Sequence, residues 1–288
     1  MLHKRLGAAE LTIPEIGLGT WQYRGSVQAL RKGIELGACF IDTAEAYGTE
    51  SVVGEVLWDI RNAVFLATKV SPWNFRRKDL FTAADRSLQA LKTDYIDLYQ
   101  LHWPNSTIPV EETMGAMEEL VNQGKIRFIG VSNFSLGELQ RAQAALSRFR
   151  IVSNQVRYNL VDRSAEVGLL EYCQQNKITL IAYSPLARGM HVIIKNDPAG
   201  ILRKVAAETG KTEAQVALNW CLAKDSVVAI PKADSPGHIE ENCRASDWRL
   251  TADRIARLDK GIHYRQRGRV EAALRRLARN TLQRLGRI

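Results

Sequence analysis

Eight times between residues 17 and 262 the chain passes from a short apolar, β-branched or aromatic run into a segment that reads as a helix, with no break in composition. The strand-like runs are residues 17–20, 39–42, 64–69, 96–102, 126–132, 151–156, 178–184 and 227–231. Helices are expected from Ser26, Thr49, Asp79, Val110, Ser135, Arg163, about Ala199, Thr212 and Thr251, with Ser26, Ser135 and Thr251 as N-caps and Ser135 and Glu138 at capping-box spacing. A helix between two strands forbids a tight hairpin and makes them parallel neighbours. Eight such units in an unbroken series close into a barrel, which takes roughly 250 residues. The expected fold is therefore α/β, a (β/α)8 TIM barrel over residues 1–262. A short N-terminal hairpin turning at residues 7–9 opens that span, and a basic amphipathic helical tail over residues 263–288 follows it.

Parallel strands joined by crossover helices bring their C-terminal ends to one face, where such barrels keep their chemistry. Four side chains stand at or just beyond separate strand ends: Asp42 in CFIDTAEAYG, Tyr47 five residues on, Lys69 in VFLATKV, and His102 in YIDLYQLHWP. Singly, each fits a structural role: Asp42 a helix cap, Tyr47 and His102 half-buried packing, Lys69 a strand end reaching solvent. Gathered at one mouth, they are what proton donation to a carbonyl requires. Tyrosine titrates near pH 10, too high for ready exchange at neutral pH. A lysine about 4 Å away favours the phenolate by up to about 4 kcal/mol at an effective dielectric near 20. The expected roles are Tyr47 as acid, Lys69 as its tuner, Asp42 as the anchor of the lysine, and His102 as a hydrogen-bonding orienter.

Other chemistries fit poorly. Gly17 and Gly19 have G-x-G spacing, but Gln22 stands where a dinucleotide fingerprint needs its third glycine, so a tight strand end remains an equal reading. GVSNF is not a nucleophile elbow, and no Walker A motif occurs. The four cysteines (Cys39, Cys173, Cys221, Cys243) are widely spaced and read as free thiols, and the five histidines show no paired spacing, so no metal is expected. With 45% hydrophobic and 25% charged residues the composition is that of an ordinary globular protein, not of a disordered chain. No apolar run approaches a membrane span, the N-terminus lacks a signal-peptide core, and the expected location is cytoplasmic.

DTAEAYG, ATKV and YQLHWP, with the leading GLGTW, resemble the aldo-keto reductase superfamily to about residue 260. The resemblance implies NAD(P)H-dependent reduction of a carbonyl by direct hydride transfer, with Asp42, Tyr47, Lys69 and His102 as the catalytic tetrad. It also implies cofactor contacts. Gly19, Thr20, Trp21 and Asp42 come from the first motifs, Ser132 and Asn133 of GVSNF with Gln155 of NQVRYN hold the carboxamide, and Tyr183 stacks on the nicotinamide. Ser184, Leu186 and Gly189 of AYSPLARG bind the pyrophosphate; Lys232, His238, Glu241 and Asn242 of IPKADSPGHIEEN grip the adenosine end. NADPH-preferring members often have Ser after this lysine and Arg six positions beyond it. Ala233 and His238 stand there, which implies NADP(H) with a weakened preference and NAD(H) as the alternative. Trp21, Tyr23, Trp73 and Trp103, with Phe75, suggest an aromatic pocket in which Tyr47 and His102 also touch a small-molecule carbonyl substrate. A cofactor-binding regulatory subunit with little turnover is the rival reading; the intact tetrad favours the enzyme.

The net charge of +9 is concentrated in the tail, where residues 264–288 hold eight arginines and one acid. Val270, Leu274, Leu277, Thr281, Leu285 and Ile288 share one helical face. The barrel, a second copy or an anionic membrane would cover that face, and nucleic acid would be drawn to the arginines. The expected cover is the barrel, in a monomer without membrane or nucleic-acid partners.

Overall fold

A computed structural model of the protein describes residues 1–266 together with Glu271, Leu274, Leu277, Ala278 and Thr281. The chain opens with β1 (His3–Arg5) and β2 (Thr12–Pro14), antiparallel with His3 opposite Pro14. Eight further strands form one sheet in chain order: β3 (Leu18–Gly19), β4 (Phe40–Asp42), β5 (Phe65–Val70), β6 (Ile96–Leu101), β7 (Ile126–Ser132), β8 (Ile151–Arg157), β9 (Thr179–Tyr183) and β10 (Val227–Ile230). All of their pairings are parallel. The first and last strands meet through a parallel bridge between Ile16 and Ala229, where Gly17 N donates to Ala229 O at 2.8 Å and Gly19 N to Pro231 O at 3.1 Å. These bonds join the edges of the sheet, so the expected barrel is found.

Helices fill the crossovers and follow the last strand: α1 (Val27–Glu35), α2 (Glu50–Leu57), α3 (Arg77–Leu91), α4 (Val110–Asn122), α5 (Leu136–Ala144), α6 (Leu169–Gln175), α7 (Met190–Lys195), α8 (Ile201–Thr209), α9 (Glu213–Leu222), α10 (Pro236–Cys243) and α11 (Ala252–Gly261). Ser26, Thr212 and Thr251 cap helices with their side-chain oxygens, satisfying N–H groups that a first turn leaves unpaired. Ser135 donates from both its N–H and its hydroxyl to Glu138. The helix expected from Arg163 is instead a single 3-10 turn (Ser164–Glu166), and α6 starts only after Gly168, whose φ of 80° breaks the run.

Two apolar regions result. One lies between the sheet and its helices; the other fills the barrel with Phe40, Phe65, Ala67, Leu98, Val152, Ile181, Val228 and Ile230, closed below by Leu6 and Ile13 of the hairpin segment. The hairpin is therefore the floor of the barrel. Lys4 fixes it there by donating to the carbonyls of Leu222, Lys224 and Val227 at 2.6–2.8 Å, where α9 ends. At the other end the chain returns to the mouth. Arg163 N donates to Arg265 O at 2.9 Å, Arg265 N donates to Val161 O at 3.0 Å, and the Arg163 guanidinium lies 4.1 Å from the Tyr264 ring centroid. Beyond this root, Leu274 and Leu277 are 61% and 64% exposed. Val270, Leu285 and Ile288 lie outside the described residues.

Candidate active site

Asp42 closes β4, and Tyr47 ends the 3-10 turn Glu45–Tyr47, whose exit Gly48 takes with a φ of 68°. Lys69 lies in β5, and His102 directly follows β6. Register places Asp42 beside Ala67 and Lys69 beside Gln100, so the polar residues occupy the upper layers of the barrel. Lys69 is fully buried. Its ammonium donates to Asp42 Oδ1 at 2.5 Å, to Thr43 O at 2.7 Å and to Tyr47 Oη at 3.4 Å. Asp42 Oδ2 in turn accepts from Gln155 Nε2 at 2.7 Å and Gln100 Nε2 at 3.2 Å. A buried ion pair endures only when its remaining donors and acceptors are matched, and this one is. The His102 ring stands edge-on to Tyr47, with centroids 5.5 Å apart.

The electrostatics refine the expectation for Tyr47. Burial raises its pKa, and the lowering effect of Lys69 only partly offsets that, so the phenol stays protonated. Burial also opposes the charge on Lys69, but attraction to Asp42 and Tyr47 outweighs it and the ammonium is held more firmly than usual. Burial first, and Lys69 second, push His102 down to about 3, so the imidazole is neutral at physiological pH. Gln100 and Thr43 add partners to the four expected residues. Gln100 had a signal, as a polar residue on the barrel-facing alternation of IDLYQL.

The residues expected at a nicotinamide are joined to this cluster. Ser132 Oγ donates to Gln155 O at 2.9 Å; Asn133 Nδ2 donates to Ser132 Oγ at 3.0 Å and His102 O at 3.1 Å; and Tyr183 Oη donates to Asn133 Oδ1 at 2.9 Å, fixing the half-buried ring. Thr20 Oγ1 donates to Asp42 O at 3.1 Å, and Trp21 lies under the Arg188 guanidinium at 4.6 Å. Gly19 meets a close-approach requirement, since a Cβ there would stand 2.7 Å from Ile230 O. Ser184 and Gly189 bracket the turn after β9, in which Gly189 N donates to Leu186 O at 2.8 Å. Lys232, His238, Glu241 and Asn242 form a separate group around β10 and α10, with no hydrogen bond to the tetrad among the described residues. Lys232 pairs with Asp234, and His238 N donates to the capping Ser235 Oγ at 3.3 Å.

Of the aromatic residues, Trp21, Trp73 and Trp103 are partly open to solvent. Asn105 Nδ2, donating to Pro72 O at 2.9 Å, ties the loops of the last two together. Tyr23 and Phe75 are buried: Tyr23 is 8% exposed with its hydroxyl donating to Ser26 O at 2.8 Å, and Phe75 is 2% exposed. Among the described residues, no group of three or more His, Cys, Asp or Glu is placed to hold a metal, and no helix is long and apolar enough to cross a membrane.

A closed parallel barrel whose mouth sets a tyrosine against a buried lysine–aspartate pair and a neutral histidine has the form of an oxidoreductase site. The sequence profile of the Aldo/keto reductase family matches residues 15–262. Methylglyoxal reductase YeaE of Escherichia coli is 40% identical over 266 residues, covering 88% of this chain and 92% of that protein. A thermostable aldo-keto reductase solved with the inhibitor epalrestat is 43% identical with a TM-score of 0.85, covering 90% of this chain and 99% of that one. An aldo/keto reductase from Klebsiella pneumoniae, solved with NADP and acetate, is 39% identical with a TM-score of 0.84, covering 92% and 96%. The chain belongs to the aldo/keto reductase family.

Proposed function

We propose that this protein reduces aldehyde and ketone carbonyls to alcohols with NADPH, Tyr47 donating the proton, and that small 2-oxoaldehydes of the methylglyoxal type are substrates. The observation that carries the reading is the buried Lys69 ammonium with Asp42 on one side and the Tyr47 hydroxyl on the other. Burial keeps the proton on Tyr47 until a carbonyl takes it, and Lys69 is the group that eases its release. As a carbonyl oxygen takes up its proton, negative charge moves onto Tyr47 Oη, 3.4 Å from Lys69, which favours the transition state over the resting state. Neutral His102 serves as a hydrogen-bonding partner for the same oxygen without competing as an acid.

The cofactor, when bound, supplies the hydride to the carbonyl carbon. Tyr183 offers a ring pinned by Asn133, and Ser132, Asn133 and Gln155 supply polar groups for a carboxamide. Gly19, Thr20 and Trp21 would hold the cofactor beside β3, and the turn of Ser184, Leu186 and Gly189 would hold its pyrophosphate. Lys232, His238, Glu241 and Asn242 take the adenosine end, where the start of α10 suits an anion. Lys232 is already engaged by Asp234, which fits a modest rather than an absolute preference for NADPH over NADH. Trp21, Trp73 and Trp103 flank the carbonyl with Tyr47 and His102. NADPH oxidation measured against methylglyoxal and a panel of aldehydes tests the reading. Turnover is expected; tight NADPH binding with no turnover on any carbonyl would replace it with an auxiliary cofactor-binding role.

A further inference from the structure

Tyr47 stands on a turn with little to hold it by itself. Residues 44–48 read Ala, Glu, Ala, Tyr and Gly, and two backbone bonds close them, Tyr47 N to Ala44 O at 3.0 Å and Gly48 N to Glu45 O at 3.4 Å. A lone 3-10 turn is weakly stabilised, and Ala44 at its N-cap has no side chain that could bond it. Beside Tyr47, the one polar side chain of these five residues is Glu45. We propose that Glu45, given Tyr47 as the acid of the proposed reaction, is a positioning residue for it: its carboxylate latches the turn of Tyr47 to the loop after β5 and so sets where the Tyr47 hydroxyl stands.

Glu45 Oε1 accepts from Ser71 N at 2.5 Å and from Asn74 Nδ2 at 3.0 Å, and Oε2 accepts from the same amide at 3.3 Å. Ser71 is the N-cap of the 3-10 turn Pro72–Asn74 and Asn74 is its last residue, so one carboxylate grips both ends of the turn that carries Trp73. Ser71 also directly follows β5, the strand of Lys69. The latch therefore sets the Tyr47 turn against the same strand that delivers the lysine. The Glu45 side chain is 15% exposed, and the Arg86 guanidinium stands 3.9 Å from Oε2. Hydrogen bonds to an ionised carboxylate are the stronger kind. On the inner side Lys69 Nζ donates to Thr43 O at 2.7 Å but to Tyr47 Oη at 3.4 Å, so the contact that eases proton release is the long one and lengthens first when the turn shifts. The charges acting on the Tyr47 phenol are chiefly those of Lys69 and Asp42, so Glu45 acts through placement rather than through its field.

Three measurements on one set of proteins test this: steady-state methylglyoxal reduction, the NADPH dissociation constant, and the NMR signal of ring-labelled Tyr47, identified by its absence in Tyr47→Phe. Glu45→Ala should lower kcat on the order of tenfold to a hundredfold, as a misplacement of about 1 Å at a reacting group does, with NADPH affinity unchanged and the Tyr47 signal moved. Glu45→Gln keeps an oxygen for Ser71 N and should recover most of the rate. Asn74→Ala removes one donor and leaves Ser71 N in place, so it should fall between Glu45→Ala and the wild type, and it carries the test if Glu45→Ala fails to fold. A kcat per folded molecule at the wild-type level, or a Tyr47 signal that does not move, overturns the proposal. A loss shared equally by kcat and NADPH affinity also overturns it, since that is the mark of general damage. Absence of turnover in the wild type sets aside the carbonyl-reductase reading, and the Tyr47 signal then decides the latch: a shift in Glu45→Ala that Glu45→Gln reverses supports it, and no shift overturns it.

Discussion

Phe40 and Asp42 stand two residues apart on one face of β4, and the same division recurs around the barrel: Phe65 and Lys69, four apart, on β5, Leu98 and Gln100 on β6, Ile181 and Tyr183 on β9. The lower member of each pair packs in the apolar interior above the hairpin floor. The upper member enters or borders the polar network at the mouth. The same strands thus build a lower interior stabilised by burial of apolar surface and an upper one that has to offset the desolvation of an ion pair. The difference teaches how a rigid barrel carries a costly site. The lower layers supply stability, and the upper layers spend part of it on a preset electrostatic arrangement.

The comparison is broken most severely from above. Lys69→Met should lower carbonyl reduction by on the order of 10²–10⁴, because the charge developing on Tyr47 loses its partner and Asp42 is left buried and unpaired. Turnover and the unfolding midpoint should both fall; turnover near that of the wild type would mean that the pair is structural only. From below, Phe40→Ala should remove about 3–5 kcal/mol of stability, since it empties a site packed edge-on against Phe65 at 5.5 Å. The rate per folded molecule should change little, and denaturant unfolding beside an active-site titration checks the separation.

His102 sharpens the contrast through pH. Its folded pKa of about 3 lies below the unfolded value of 6.5, so the unfolded chain takes up the proton first. Stability contributed by the neutral imidazole is present above about 6.5 and is lost as pH falls towards about 3, by up to a few kcal/mol. Denaturant midpoints at pH 7 and pH 4 should differ more for the wild type than for His102→Gln. The smallest effect is at the adenosine end. His238→Arg should shift the ratio of the NADPH and NADH dissociation constants several-fold towards NADPH, because a guanidinium is permanently charged and forked. An unchanged ratio would place position 238 away from the 2′-phosphate.

The barrel was legible because apolar runs alternate with capped helices, and the polar ends of CFID, FLATK and YQLH mark the mouth. What was missed depends on three-dimensional neighbours. Gln100 becomes a support for Asp42 only when register brings β6 beside β5. Tyr23 and Phe75 look like mouth aromatics by position, yet packing turns both inward. The balance on Tyr47 depends on neighbours too: the lowering effect of Lys69 is visible in the sequence, whereas the burial that outweighs it is not. The start of α10 carries a signal, Ser235 followed by Pro236, in a stretch that also resembles a nucleotide-binding segment.

Tyr47→Phe tests the division of labour most directly, because it deletes one oxygen and keeps the ring that faces His102. Steady-state methylglyoxal reduction and the NADPH dissociation constant should be measured on the same preparation. The account predicts a loss of about 10²–10⁴ in turnover with cofactor affinity and melting temperature nearly unchanged. Turnover close to the wild-type rate would contradict it.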